Sequence, residues 1–466
     1  MRLRSRLGEK AAIWILFFVA CSAPLLGQNE EVLKKLQEFE ERLKRLEEAG
    51  QQRGAVKPAV EVENTVQVEE LRRQLDVLAE ELEKLRSGEE EFDVSPRKAQ
   101  SLGVGLAAAS VYRKRQGVSI AGYGEMLYQN FGSQDQSGQE VEAGSQLDFL
   151  RAIVYAGYRF NDKFLFNSEI EFEHAATDQR GSVSVELAYI DYLANQYLTL
   201  RGGLLLIPMG LVNEFHEPNA FIGARRPETE QRIIPSTWRE NGFGITGSAG
   251  IFDYRAYLVN GLDASGFSSD GLRGGRQKGS RAKASDFALV TRLDVHPTPG
   301  VFLGGSIYRG GSGQSQFELK GQELDVTTTI GELHGQVQLK GFDVRGLYAR
   351  ASVDDAAGLS QLLNLAADSP VAEAMQGGYL QFGYNLLRRI HDTASLMPFY
   401  RFEALNTQDK APLGFLADPA RDRTFHTLGL EYKPIRKIVL KTDFQWLRNQ
   451  ASSGVNQLNV ALGYSF

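Results

Sequence analysis

The last residues of the chain, Asn456 to Phe466, alternate strictly. Leu458, Val460, Leu462, Tyr464 and Phe466 fall on one side, and Gln457, Asn459, Ala461, Gly463 and Ser465 on the other. A period of two defines a strand with one apolar face and one small or polar face. That apolar face continues to the final residue, while no stretch of the chain reaches the roughly 20 apolar residues of a membrane-crossing helix. Lipid on one side and water on the other accounts for such a strand. The expected fold class is therefore all-β, a transmembrane antiparallel β-barrel of the outer-membrane kind.

Average composition hides this. A hydrophobic content of 42%, a charged content of 24% and a mean hydropathy of -0.28 would suit a soluble protein. A barrel shows lipid only every second residue, so its average stays modest as well. The 48 glycines and 10% aromatics, set in short alternating runs, decide for the barrel.

The other end of the chain agrees. Arg2, Arg4, Arg6 and Lys10 precede the apolar run Ala11 to Ala20, and small residues follow at Ser22, Ala23 and Gly27. This is the pattern of a secretory signal peptide, expected over residues 1–27. The single cysteine, Cys21, would leave with it, so no disulfide is expected. Its alternative is lipidation, because Val19, Ala20 and Cys21 loosely match a lipoprotein cleavage box.

Residues 28–99 read as a periplasmic coiled-coil arm. Val32, Leu36, Phe39, Leu43 and Leu46 form one heptad seam, and Val68, Leu71, Leu75, Leu78, Leu82 and Leu85 form another. A lone helix cannot bury such a seam, so self-association is the economical reading and a solvated charged helix the alternative. Gly54 and Pro58 break the arm near 50–64, and residues 100–117 read as a linker. The chain carries -6 and the signal +3, so cleavage would leave about -9; the arm takes about -6 of this, which leaves the barrel near -3. A barrel that is not globally cationic must owe any anion preference to local placement.

From Val118 to Phe466 about sixteen strands can be counted, with fourteen and eighteen as neighbouring counts. Short connections such as 161–162, 195–196 and 340–341 alternate with long ones such as 132–144, 207–240 and 263–284. Short turns on one rim and long loops on the other are the asymmetry of outer-membrane barrels.

Parity then sorts the faces. Phe164, Phe166, Ile170 and Phe172 should face lipid; Asn167, Glu169, Glu171 and Glu173 should face the lumen, with Arg151, Tyr155 and Arg159 opposite them on the preceding strand. Opposite charges recur at i, i+2 on other inward faces: Arg401 with Glu403, Lys441 with Asp443, Asp343 with Arg345, Arg292 with Asp294. Such pairs either shape the lumen's field or simply stiffen and solvate its wall.

The connection 207–240 is too long to be idle and too apolar to be disordered. Folding inward would bury Phe215, Phe221, Ile233, Ile234 and Trp238 and set Arg225, Arg226, Arg232 and Arg239 against Glu214, Glu217, Glu228, Glu230 and Glu240. The expected pore-lining and constriction residues are Arg151, Arg159, Glu169, Glu171, Arg201, Arg225, Arg226, Arg232, Arg239 and Lys441.

The run GLLLIPMG at 203–210, followed by HEPNAF at 216–221, ARRPE at 224–228 and IPSTWRENG at 234–242, resembles the family of the phosphate-selective porins O and P. The resemblance covers 118–466. It implies a sixteen-stranded, trimeric outer-membrane porin with its third loop folded inward. Lumen acids Glu169, Glu171, Glu173 and Glu186 depart from the arginine and lysine ladder that phosphate selectivity implies. The terminal Phe466 resembles the signal read by the barrel-assembly machinery.

Other classes find little support. The six histidines are scattered, with no HExxH, no nucleophile elbow and no phosphate-cradling loop. His216, between Glu214 and Glu217, reads as a hydrogen-bonding loop residue rather than a metal ligand. No enzyme activity, cofactor, metal or nucleic-acid partner is expected. Arg273, Arg276, Lys278, Arg281 and Lys283 in the fourth long loop could steer small anions, hold lipopolysaccharide phosphates or have no role. The stretch 356–374 is the expected helix of the barrel half. The function expected is passive diffusion of small hydrophilic solutes, anions such as phosphate among them; a non-selective porin or a membrane tether is the alternative.

Overall fold

The computed structural model describes residues 96–466 except 143, 176–180 and 392. The signal peptide, Cys21 and both heptad seams lie outside the described residues.

Sixteen strands close into one antiparallel barrel. The first eight are β1 (Gly117–Asp135), β2 (Ser145–Arg159), β3 (Phe164–Glu173), β4 (Val183–Leu193), β5 (Thr199–Leu206), β6 (Arg239–Ala249), β7 (Phe252–Asn260) and β8 (Phe287–Thr298). Then come β9 (Val301–Gly311), β10 (Thr327–Leu339), β11 (Phe342–Val353), β12 (Ala374–Tyr384), β13 (Ser395–Lys410), β14 (Asp422–Ile435), β15 (Ile438–Asn449) and β16 (Val455–Ser465). Each pairs with its sequence neighbours, and β16 closes on β1 with Ser465 opposite Tyr123 and Leu462 opposite Met126. Phe466 stays in the ladder: its N–H donates to Gly122 O at 2.9 Å and its carbonyl accepts from Gly122 N at 3.0 Å. Closure leaves no unpaired edge.

The alternation predicted from sequence holds around the barrel. Outward residues such as Ile120, Phe243, Leu333, Leu428 and Val460 are exposed. Inward ones such as Tyr123, Glu169, Glu403, Lys441 and Asn459 are buried. At the rim of short turns the outer face becomes aromatic, with Phe164 against Tyr192 at 4.8 Å and Phe342 against Tyr384 at 4.7 Å between ring centres. An apolar belt edged by aromatics fits a bilayer and its interface.

Strand bounds differ from the sequence expectation where ladders outrun the turn signals. β1 continues to Asp135, past Gly132, and β13 continues to Lys410, past Asn406. Helices differ as well. α1 (Pro96–Leu102), which runs from the expected arm into the expected linker, and a 3-10 turn at Ala108–Arg113 give the segment read as a linker regular structure over half its length, α2 (Glu228–Arg232) sits in the long loop, and the expected helix in 356–374 is the short α3 (Ala356–Leu362).

The segment before β1 is packed into the lumen. Ala99, Ala107, Ala108, Ala109 and Val111 are buried. Its carbonyls and hydroxyls take donors from the wall: Asn167 Nδ2 to Ala108 O at 3.0 Å, and Arg201 to Leu102 O at 3.0 Å and to Tyr112 Oη at 2.9 Å. Alanines suit this placement because a small side chain lets the backbone lie close to the wall.

If the outer belt contacts lipid, Leu333→Arg, at the middle of β10 and 70% exposed, should cost about 2–4 kcal/mol in reversible denaturant unfolding from phospholipid vesicles. Leu413→Arg, in the β13–β14 connection and 92% exposed, should change stability by less than about 0.5 kcal/mol.

Candidate functional site

The connection between β5 and β6 folds into the lumen, as its apolar content predicts. Phe221, Ile233, Ile234 and Trp238 are buried and Phe215 is half-buried. Its two ends are tied at a neck. Asn213 Nδ2 donates to Ile207 O at 2.7 Å and Trp238 O at 2.9 Å, while its Oδ1 accepts from Trp238 N at 2.6 Å. Two of the motifs that carry the family resemblance, GLLLIPMG and IPSTWRENG, therefore meet each other at Ile207 and Trp238. Gly210 turns the chain with φ +72°, where a Cβ would lie 2.5 Å from Glu230 Oε2. That carboxylate instead accepts the N–H groups of Leu211 at 2.9 Å and Val212 at 2.7 Å.

Beyond the neck the loop crosses the barrel with an irregular backbone, which must find hydrogen-bond partners away from bulk water. The paired charges of the wall supply them. Arg401 donates to Arg225 O at 3.2 Å, and its neighbour Glu403 accepts from Glu228 N at 3.1 Å and from Thr229 N. Lys441 donates to Phe221 O at 2.8 Å and Gly223 O at 3.1 Å, and Asp443 accepts from Ala224 N at 2.7 Å. Arg345, paired with Asp343 at 2.8 Å, donates to Ala220 O at 2.7 Å. Arg292, paired with Asp294 at 2.8 Å, donates to Gly210 O at 2.6 Å. In the first two pairs cation and carboxylate at i, i+2 thus serve carbonyl and N–H groups of the loop, and in the last two the cation serves a loop carbonyl while the carboxylate holds the cation. Neither charge is left alone in the interior, where an unpaired one would cost several kcal/mol.

This geometry corrects several sequence expectations. Arg159 does not line the pore: it donates to Asn161 O and Asp162 O, both at 2.7 Å, and so caps its own turn. Arg201 is bidentate to Asp191 and holds the N-terminal segment. Lys441 spends its donors on the loop and lies 3.8 Å from the Phe221 ring centre. Arg151, by contrast, meets the lumen glutamates as parity predicts, between Glu125 at 3.5 Å and Glu171 at 3.6 Å. Arg239 pairs with Glu186 at 3.0 Å on the wall rather than with an acid of the loop. Glu214 faces Arg255 at 3.4 Å and Arg292 at 3.6 Å, and Glu217 accepts from Ala107 N at 3.0 Å. Within the loop, the expected pairing of arginines with loop glutamates survives only around Glu228, which takes Arg225 at 3.0 Å and Arg232 at 2.8 Å.

Two of the predicted constriction residues, Arg225 and Arg232, keep more than a quarter of their side-chain surface exposed. They stand with Arg273 of the fourth loop and with Arg421 and Arg423, residues the sequence reading had not grouped with them. Asp270 binds Arg232, Arg421 at 2.7 Å and Arg423 at 2.6 Å. A cavity of about 180 Å³ lies here, lined by Gln231, Arg232, Ser268, Asp270, Gly271, Arg273 and Gly274. A smaller cavity of about 10 Å³, about one water, lies between the loop and β11–β12, beside Phe221, Arg345, Tyr379 and Gln381.

Replacing Glu403 by Ala would leave two buried loop N–H groups unpaired, at about 1–3 kcal/mol each. The purified barrel should then be cut by trypsin within 225–232, where the parent protein resists. Glu403→Gln, which keeps an acceptor oxygen, should be cut more slowly.

Comparison with protein-family models finds no match for this chain. Among solved structures it is similar to OmpF of Salmonella typhi, solved with daunomycin, with TM-score 0.51 and 12% identity over 76% of this chain and 98% of that one. The outer-membrane channel DcaP of Acinetobacter baumannii aligns with TM-score 0.49 and 13% identity, covering 75% and 97% of the two chains. The first likeness places the fold among sixteen-stranded porin barrels. In sequence, an uncharacterised protein of Aquifex aeolicus (strain VF5) is 36% identical over 358 residues, 73% of this chain and 78% of that protein. At that identity and coverage, the chain belongs to the same family as the Aquifex aeolicus protein.

Proposed function

We propose that the protein is an outer-membrane porin through which small hydrophilic anions, phosphate among them, diffuse passively around a clamped inner loop. The observation that carries this reading is the arginine cluster above the loop. Arg225, Arg232, Arg421 and Arg423 share the carboxylates Glu228, Asp270 and Asp418. Arg226 donates to Thr237 Oγ1 and His216 O, and Arg276 to Thr237 O, so neither of these bonds neutralises a charge. Burial, and then the neighbouring Arg276, Arg226, Arg151 and Arg232, push the Arg273 guanidinium down to about 9. Burial and Arg239 likewise push Arg276 down to about 10. Positive charge crowded against positive charge is relieved by an anion, and guanidinium groups suit phosphate oxygens. Local placement of this kind can give anion preference to a barrel whose net charge is slightly negative.

On this reading the long-loop rim faces the cell exterior, where the basic fourth loop could also meet lipopolysaccharide. The N-terminal arm lies in the periplasm. The assembly is a trimer that the heptad seams would support, and the C-terminal strand ending in Phe466 addresses the chain to the barrel-assembly machinery. The family resemblance of the loop motifs favours phosphate; the lumen acids on β3 and β4 weigh against a ladder of cations along the whole pore.

Planar-bilayer recording under a KCl gradient tests this directly. An anion-selective reversal potential and block by phosphate are expected. Arg232→Gln with Arg273→Gln should move the reversal potential toward cations and weaken block roughly tenfold for each lost charged hydrogen bond of about 1.5 kcal/mol. Cation selectivity in the parent protein would refute the anion reading. Removing 213–235 should enlarge the conductance step, and an unchanged step from a folded deletion would show that the loop is not the constriction.

A further inference from the structure

A second cluster, where the loop meets the β3–β4 wall, is built differently. β3 and β4 are out of register by one residue there: Glu169 is opposite Leu187 and Ile170 opposite Val185, which leaves Glu186 as the extra residue of a bulge. The bulge turns Glu186 inward beside Leu187, and both are buried. From the loop, His216 reaches the same point. Its Nε2 lies 3.1 Å from Glu169 Oε1 and 3.1 Å from Glu186 Oε2. All three side chains are at most 2% exposed.

The other ring nitrogen fixes the chemistry. His216 Nδ1 donates to Asn213 O at 2.9 Å, and a carbonyl can only accept, so the proton is on Nδ1. Nε2 of a neutral ring would then aim its lone pair at two carboxylate oxygens, which is repulsive. A cation, or a proton held by one of the carboxyl groups, has to stand between them. A proton on Nε2 can make one good bond, to Glu169, and Glu186 Oε2 then has no hydrogen-bond partner. Glu169 Oε2 is also buried without one. Among the described residues, the carboxylates Glu125, Glu169, Glu171 and Glu186 are contacted by two guanidiniums, Arg151 and Arg239. The cluster is short of positive charge.

We infer that Glu169, Glu186 and His216 form a binding site for one divalent transition-metal ion of the Zn²⁺ type, which clasps the inner loop to the β3–β4 wall. Donor atoms around a tetrahedral Zn²⁺ with bonds of about 2.0–2.1 Å lie about 3.3 Å apart. The two 3.1 Å nitrogen–oxygen separations match that edge, and all three ligand atoms fall within 4.8 Å of one another. Imidazole with two carboxylates suits Zn²⁺ and its transition-metal neighbours; Ca²⁺ would need six to eight oxygens. The Asn213 carbonyl acts as the outer-shell partner that orients the histidine. Asn213 also ties the neck of the loop, so the metal, the ligand and the neck form one unit. This inference does not rest on the porin reading, because metal binding is measured without conduction.

The test is isothermal titration of the full mature protein, purified from membranes in detergent and stripped with chelator, using ZnCl₂ alone. One Zn²⁺ per chain is expected, unaffected by millimolar Mg²⁺ or Ca²⁺. His216→Gln and Glu186→Gln should each weaken binding by more than about a hundredfold, beyond what loss of an outer-shell partner costs. His174→Gln, on the exposed outer rim, should leave it unchanged. Co²⁺ should give visible absorption bands in the parent protein that both ligand variants lose. Heat-modifiable gel migration confirms that each variant is folded, and Glu186→Gln keeps side-chain shape should His216→Gln not fold. Absence of stoichiometric uptake by the folded parent protein, or uptake unchanged in a folded ligand variant, would overturn the assignment and leave a protonated His216 as the clasp.

Discussion

A loop that crosses the inside of a barrel carries its backbone polar groups away from bulk water, and each must be matched. Here the match comes from charged side chains of the wall, because the sheet's own backbone groups are already used in the ladder. Arg401 and Lys441 take loop carbonyls, and Glu403 and Asp443 take loop N–H groups. A period of two puts both members of each pair on the same inward face about one residue-pair apart, which is the spacing at which an extended loop presents carbonyl and amide groups. Charge-assisted bonds of this kind are about twice as strong as neutral ones, so a handful can hold a segment that has little regular structure.

Most of the architecture could be read from the chain. Alternation at Phe164 to Glu173 and at Asn456 to Phe466 gave the faces correctly, because a one-residue slip would have turned an apolar row inward. The inward course of the loop followed from Ile233, Ile234 and Trp238, which have no other place to be buried. The targets of the long side chains could not be read in the same way. Parity shows that Arg159, Arg201 and Lys441 point inward; whether an arginine then reaches a turn, an acid or another segment depends on what fills the lumen. The placement of residues 96–113 carried no strong signal, since an alanine-rich stretch is as consistent with a linker as with a close-packed one. Glu186 was read as inward, yet its meeting with His216 depends on a bulge that breaks simple alternation.

The loop also divides the lumen electrically. Toward β1–β4 it meets carboxylates, with His216 as its contribution; toward the fourth loop and β14 it meets arginines, with Arg225 and Arg232 as its own. On the porin reading, a solute that passes on the arginine side meets a field that the net charge of the barrel does not reveal. The acidic side, by contrast, is tightly packed and serves attachment. One loop thereby joins an arginine-rich face to an anchoring face.

Native-state hydrogen exchange measured across residues 207–238 in the folded barrel tests the clamp most directly. Peptides containing Ala224 and Thr229, whose N–H groups are bound by Asp443 and Glu403, should exchange nearly as slowly as β13 and β15. Exchange as fast as in the exposed connection around Leu413 would contradict a loop held by the wall's charges.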